Sequence, residues 1–360
     1  MLPPNATAVV MVEFTKLASS SKDGDEEKEI EISLDHIQHG ENVREEGSDV
    51  KQGDVIVPKS TEIMPLGGEL GLLMSTMVRE IYVYRQPTVG VLSTGSELVD
   101  QDDALTAPSW QVLDTNRSAL LLNLRRCGFN SVDLGIVTDE YARTSSLLFL
   151  SSFLPPPSHD VSYPLLNTPY RQDKLQSALR QALEKVDVLV TSGGVSMGEL
   201  DLLPTVIEKN LGGKIHFGRV SMKPGKPTTF STVPTSHGRP SLIFSLPGNP
   251  ASAMVSFYVF VLPCLQRMSG YSSPGKPKVH VTLANDITRD RHRLEYHRTI
   301  VSVRADGKLY ANSTGGQRSS RIGSFAGANA LLIIEPGTDV VKAGEVLPAL
   351  LIGGLQAEER

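Results

Sequence analysis

Residues 186–201 read VDVLVTSGGVSMGELD. Val186 to Val190 is a short apolar run rich in β-branched side chains, as expected of a strand covered on both faces. It breaks into a glycine turn at Thr191-Ser192-Gly193-Gly194. The same plan occurs twice more. Thr88 to Leu92 (TVGVL) runs into Ser93-Thr94-Gly95-Ser96, and Ser241 to Leu246 turns at Pro247-Gly248-Asn249-Pro250 into a helix ending near Met268. Asn116 to Cys127 carries Leu120, Leu121, Leu124 and Cys127 on one helical face, and Ser131 to Val137 reads as a further strand. Asp173 suits the N-cap of a helix bearing Leu175, Ala178, Leu179, Ala182 and Leu183. Strands alternating with helices predict a doubly wound, mostly parallel sheet over residues 86–270. Ligands of such sheets sit beyond the carboxyl ends of the strands.

The rhythm differs on either side. Residues 1–85 are β-rich, with strands expected at Ala8–Val12, Glu29–Leu34 and Asp54–Val57 and a solvated charged loop over Ser19–Lys28. Residues 271–360 lack a long helical pattern. Lys278–Leu283, Thr299–Val303 and Ala330–Ile334 are expected strands of a small antiparallel barrel or sandwich. The fold class expected is therefore α/β plus β. One stretch, Ser145 to Tyr170, carries five of the 23 prolines and no usable period, so it reads as a disordered insertion without a catalytic role.

Composition narrows the function. The 360 residues are 40% hydrophobic and 21% charged, with a net charge of −5 and no Lys/Arg-rich block, which disfavours a nucleic-acid surface. Two cysteines, Cys127 and Cys264, provide neither a disulfide framework nor a Cys-rich zinc site. No apolar run approaches the roughly 18 residues of a membrane span, and the N-terminus is unlike a secretory signal. A cytosolic protein is expected.

The strand-end turns Ser93–Leu98, Thr191–Asp201 and Leu246–Ser252 aim backbone N–H groups and hydroxyls at one open edge, where they can hold phosphate or another oxyanion. None is a P-loop or a GxGxxG turn. Glu97, Asp139 and Asp201 accompany the strand ends, as Mg²⁺ requires of carboxylates beside a phosphate pocket. Asp114, followed by Asn116, fits a helix cap as well as a ligand contact. Lys223 and Lys226 stand on a Pro/Gly loop, and two ammonium groups held close repel unless an anion sits between them. Arg291, Arg293, His297 and Arg298 cluster further on, with Ser319-Ser320-Arg321 after a Gly-rich loop; alone these read as a solvated basic edge.

STGSEL, DTNR (Asp114 to Arg117), TSGGVSMGELD, IHFG followed by MKPGKPTTF, LPGNPASA, EYHR (Glu295 to Arg298) and STGGQRSSR occur in this order. Together they resemble the molybdopterin molybdotransferase family, in particular its gephyrin-like E domain, over nearly the whole chain apart from Ser145–Tyr170. The resemblance implies insertion of molybdate into the dithiolene of molybdopterin, with adenylylated molybdopterin as activated substrate and Mg²⁺ assisting release of AMP. It implies Asp139 and Asp201 as metal ligands, with Glu97, Asp49 and Asp201 as catalytic acids. Ser93, Thr94, Gly95, Asp114, Asn116, Gly193, Gly194, Val195, Ser196, Pro247, Gly248 and Asn249 would hold the pterin nucleotide. Lys223, Lys226, Pro227, Ser252, Arg293 and Ser319 would form the molybdate pocket. A tetrahedral dianion suits such a set of cations and hydroxyl donors.

Family members begin upstream of the stretch that is Leu2-Pro3-Pro4 here, so an incomplete first subdomain is expected. The activated pterin would then come from a molybdopterin adenylyltransferase domain or protein, and a homodimer is expected if the N-terminus is complete. The competing expectations are a gephyrin-like scaffold binding inhibitory receptor tails, or an inactive fragment.

Overall fold

Val188, Leu189 and Val190 are wholly buried, with neighbouring side chains on opposite faces of one sheet. The structure, a computed structural model, describes residues 3, 5–21, 27–33, 36–64, 67–137, 169–195, 202–236 and 238–357. The chain forms two units, Met1–Ile81 and Tyr82–Arg360.

In the first unit β1 (Thr15–Ser20) pairs antiparallel with β2 (Glu27–Ile32), and a short helix spans Gly68–Ser75. The strands expected at Ala8–Val12 and Asp54–Val57 do not form: the first leads into a 3₁₀ turn at Val12–Phe14, and the second is a bend. Strand formation extends instead through Ser19 and Ser20, within the expected loop. The reason lies in burial. Leu73 is the one buried apolar side chain among the described residues of this unit, so β-branched runs find no core face to pair over.

In the second unit the main sheet is assembled from β3 (Val89–Thr94), β6 (Ser131–Val137), β7 (Val188–Ser192), β8 (Lys214–Phe217), β10 (Thr229–Val233) and β11 (Ser241–Leu246). Their order is β6-β3-β7-β11-β10-β8. The first four run parallel, while β10 and β8 continue the sheet antiparallel. A small ribbon of β4 (Leu98–Val99) and β5 (Val112–Leu113) follows β3. One face of the sheet packs Val188, Val190, Phe244 and Leu246 against Leu120, Leu121 and Leu124 of the Thr115–Arg126 helix and Ala253 and Phe257 of the Pro250–Met268 helix. The other packs Leu92, Leu189 and Ile243 against Leu175, Leu179 and Leu183 of the Pro169–Leu183 helix and against Leu203 and Val206. Helices on both faces make the sheet doubly wound. The helix expected to be capped by Asp173 begins at Pro169, so Asp173 lies inside it; proline's fixed φ suits a first turn.

Pro250–Met268 is the one described helix long and apolar enough to cross a membrane, yet 61% of that window is buried inside the fold. Its apolar character serves the core. Five further strands close a barrel: β12 (Lys278–Leu283), β14 (Leu294–Val303), β15 (Leu309–Ser313), β16 (Ala330–Ile334) and β18 (Val346–Leu351). Closure follows because β15 pairs with both β12 and β14; the β12–β15 pair is parallel, so the barrel is not purely antiparallel. Val281, Val301, Ala311, Leu332, Ile334 and Ala349 fill it. β13 (Ile287–Thr288) pairs with β17 (Val340–Val341), while β9 (Met222–Lys223) and β19 (Gln356–Ala357) add to β14. The β9 pairing sets Lys223 opposite Glu295.

Candidate functional site

Three strand ends lie side by side, because Ser192 of β7 is in register with both Ser93 of β3 and Leu246 of β11. The turns that follow are tightly fitted. Gly193 donates its N–H to the Leu246 carbonyl at 3.0 Å. With φ near 90°, it also leaves no room for a side chain: a Cβ there would stand 2.3 Å from the Thr94 carbonyl oxygen. Asn116 ties two turns together, its Nδ2 donating to Ser192 Oγ and to the Gly248 carbonyl, each at 2.8 Å. The Ser93 hydroxyl is buried at this edge without a hydrogen-bond partner. Glu97 folds back so that its carboxylate covers Gly95, which a Cβ would contact at 2.5 Å. Thr94, Gly194, Pro247 and Asn249 border the same turns, and Val195 places its side chain in the core with only its backbone left for a ligand.

Asp114 is turned the other way. It caps the Thr115–Arg126 helix by accepting the Arg117 N–H at 3.2 Å and accepts Arg117 Nε at 3.0 Å, with its side chain 1% exposed. Of the two readings that the sequence left open, its geometry matches the cap. Asp49 lies in the first unit, exposed and paired with Arg44 at 2.7 Å. Asp139, Ser196, Asp201 and most of Ser145–Tyr170 lie outside the described residues.

The Pro250–Ser256 start of the long helix connects the third turn to the basic residues. Ser256 bonds Thr228 of the lysine loop, and Gly225 packs so closely on Ser256 and Met222 that a Cβ would stand within 2.9 Å of both. At the same helix's start, the Ala251 N–H donates to the Ser319 carbonyl at 3.0 Å and Asn249 Nδ2 to Ser319 Oγ at 3.2 Å. Ser252 is buried on this helix. Lys223, Lys226 and Arg293 line a cavity of about 840 Å³ together with Arg219, Arg289 and Arg291. The expected repulsion between the lysines is resolved within the protein. Lys223 Nζ lies 3.0 Å from Glu295 and 3.6 Å from Asp290, while Lys226 is exposed; Pro227 follows it in the loop.

Arg298, expected on a solvated basic edge, is completely buried. Nε donates to Ser324 Oγ at 3.0 Å and Nη2 to the Arg318 carbonyl at 3.3 Å, but Nη1 has no partner. Burial lowers its pKa to about 10, and Glu295 offsets only part of that. Its backbone also organises the Ser319 loop: the N–H donates to Gln317 Oε1 at 2.8 Å and the carbonyl accepts from Thr314 Oγ1 at 3.0 Å. The signal in the sequence was EYHR within a strand, where alternate side chains must face inward.

Three parallel strand ends knit into one edge, with a strongly basic cavity linked through one helix, define an α/β protein built to hold anionic ligands. Comparison with known proteins gives the family. The probable molybdopterin binding domain matches residues 168–267, the MoeA C-terminal region (domain IV) residues 280–352, and the MoeA N-terminal region (domains I and II) residues 1–76. A Bacillus subtilis molybdopterin molybdenumtransferase is 30% identical over 98% of this chain and 71% of its own length. Dictyostelium discoideum gephyrin is 32% identical over 98% of this chain, which spans 47% of that longer protein. The crystal structure of a molybdopterin biosynthesis MoeA protein from Pyrococcus horikosii shares the fold, with a TM-score of 0.67 at 24% identity over 98% of this chain and 74% of that one. The chain belongs to the molybdopterin molybdenumtransferase family.

Proposed function

We propose that the chain is a transferase of molybdenum cofactor biosynthesis, inserting molybdate into the dithiolene of molybdopterin with release of AMP from adenylylated molybdopterin. The observation that carries this reading is the link, through the Pro250–Ser256 segment, between three anion-binding strand ends and the cavity lined by Lys223, Lys226 and Arg293. In this reading Ser93 to Gly95, Asn116, Gly193, Gly194 and Gly248 receive the pterin nucleotide. Asn116 fixes the spacing between two of the turns. Lys226, Arg293 and Ser319 supply the charge-assisted donors that a tetrahedral dianion requires, with the buried and unpartnered Nη1 of Arg298 behind the Ser319 loop as a further donor. Residues 86–270 are proposed as the nucleotide-binding domain and 271–360 as the domain that supplies Arg293, Arg298 and Ser319. The activated pterin would be supplied by a molybdopterin adenylyltransferase.

Among the described residues no group of three or more His, Cys, Asp or Glu side chains could hold a metal ion. Mg²⁺ is therefore proposed on Asp139 and Asp201 by resemblance alone, where it would neutralise the phosphoryl group being released. The test is an assay of AMP release and molybdenum insertion with adenylylated molybdopterin and molybdate. Lys226→Ala and Arg293→Ala should each raise the molybdate concentration required by about tenfold or more, for a lost charge-assisted bond worth roughly 1.5–3 kcal/mol. Pterin affinity should change much less. Equal loss of pterin affinity would assign both residues to the nucleotide instead.

A further inference from the structure

The basic cavity already contains an anion of its own. Asp290 is the only acid among the described residues that line it. Its carboxylate is 13% exposed and held from two sides. Oδ1 accepts the backbone N–H groups of His292 and Arg293, both at 3.1 Å, which closes the turn between β13 and β14. Oδ2 accepts from Arg293 Nη2 at 2.9 Å and faces Lys223 Nζ at 3.6 Å. The Arg293 hydrogen bond holds this carboxyl well below the usual carboxylate range, so it is anionic throughout the neutral range. Glu295 is placed differently: buried, it bonds His297 Nδ1 and Lys223 at 3.0 Å each and does not line the cavity.

A planar carboxylate and a tetrahedral oxyanion compete for the same donors. Arg293 directs its charge at Asp290 Oδ2 and Lys223, bonded to Glu295, lies within ion-pair range of it, while Lys226 has no ion pair among the described residues. We propose that Asp290 sets the oxyanion affinity of this cavity, its Oδ2 occupying a donor of Arg293 and neutralising part of the Lys223 charge that an incoming tetrahedral dianion would take. The inference rests on reading the cavity as the molybdate pocket and adds an affinity-determining residue to it. The physical consequence is a pocket whose cations are organised before the ligand arrives, yet whose hold is weakened by a resident like charge. An oxyanion that is to be passed on to the pterin must be bound without being trapped, and Asp290 provides that balance.

The isosteric change Asp290→Asn separates the two roles of the carboxylate, because it keeps the Oδ1 acceptor of the turn and removes the charge. In calorimetric titration with sodium molybdate at fixed ionic strength, Asp290→Asn should lower Kd by about tenfold or more, the order expected when a like charge beside a dianion is removed near a protein surface. Sulfate, a tetrahedral dianion of similar shape, should show the same sign. Asp290→Glu, which keeps the charge but disturbs the turn, should not tighten binding. An unchanged or raised Kd in Asp290→Asn would overturn the proposal and leave Asp290 as a positioning residue for Arg293. Should Asp290→Asn fail to fold, Asp290→Ser retains a turn acceptor and is read by the same measurement. Lys226→Ala distinguishes the two levels. If it weakens molybdate binding while Asp290→Asn does not tighten it, only the role of Asp290 falls; if neither variant alters Kd, the molybdate assignment of the cavity falls as well.

Discussion

Arg117 and Arg298 are both buried, at 4% and 0% exposure, and they are compensated in opposite ways. Arg117 sits beside the main sheet with its guanidinium hydrogen-bonded to Asp133, Asp114 and Asp100. Burial works against its charge, yet Asp133 and Asp114 more than offset that and raise its pKa. Arg298, in the barrel wall, has a hydroxyl, a carbonyl and the face of Phe325 6.0 Å away, but no carboxylate bonded to it. Burial therefore lowers its pKa, with only the charge of Glu295 acting the other way. A buried cation enclosed by carboxylates has no donor left for a ligand and acts as a brace. A buried cation with an unpartnered N–H retains part of its desolvation cost, which an anion brought against it can offset.

The contrast is sharpest on mutation. Arg117→Met should cost about 3–5 kcal/mol in urea unfolding, because the buried Asp114 carboxylate keeps its backbone cap bond but loses the cation bonded to it. Arg298→Met should cost clearly less stability but raise the molybdate Kd by about tenfold or more. Equal losses of stability would break the comparison, since Arg298 would then be a brace like Arg117.

The strand-end turns allow a second comparison. Gly193→Ala puts a Cβ 2.3 Å from the Thr94 carbonyl at a positive φ, whereas the same change at Gly248 meets only Gly193 Cα at 3.7 Å. The first should lower stability by about 2 kcal/mol or more, and the second should be nearly silent by thermal unfolding. Asn116→Ala comes next. Loss of its bonds to Ser192 and Gly248 should cost about 1–3 kcal/mol and weaken pterin-nucleotide binding more than molybdate binding. Equal weakening of both ligands would show that the turns and the cavity form one indivisible site.

The smallest effect is pH dependence. Burial alone would raise the Glu295 pKa, but its bonds to His297 and Lys223 hold it below its ordinary value of 4.5. A depressed carboxyl takes up its proton first in the unfolded chain. Its contribution to stability is therefore complete above pH 4.5 and is lost as pH falls through the lower folded value. Glu295→Gln should flatten that part of the acid limb. An acid limb identical to that of the unmodified protein would show that the Lys223–Glu295–His297 network adds nothing to stability.

Much of the α/β sheet was legible because its inner strands are buried on both faces and largely apolar; Ser241–Leu246 forms with the bounds its sequence suggests, and so does the edge strand Ser131–Val137, although it is only partly buried. β14 was half missed. Thr299–Val303 was expected, but the strand starts at Leu294, since Glu295 and His297 are buried by pairing with each other and with Lys223 and Ser313, and Arg298 by bonds to Ser324 and the Arg318 carbonyl. Polar burial leaves no hydrophobic pattern to read. At the first unit the failure runs the other way: Ala8–Val12 has strand-forming residues but no core to face.

By itself the sequence determined the layered order of this protein, because apolar periodicity and glycine turns are local and depend on no distant partner. Ordered motifs likewise determined the family. Only the tertiary structure decided how charge is apportioned. Which arginine is braced, which is left open, and which carboxylate lies between Lys223 and Arg293 depend on residues up to 72 positions apart meeting at 3.0 Å. Electrostatic energy in a partly dry interior changes steeply with such separations, and no local pattern in the chain records them.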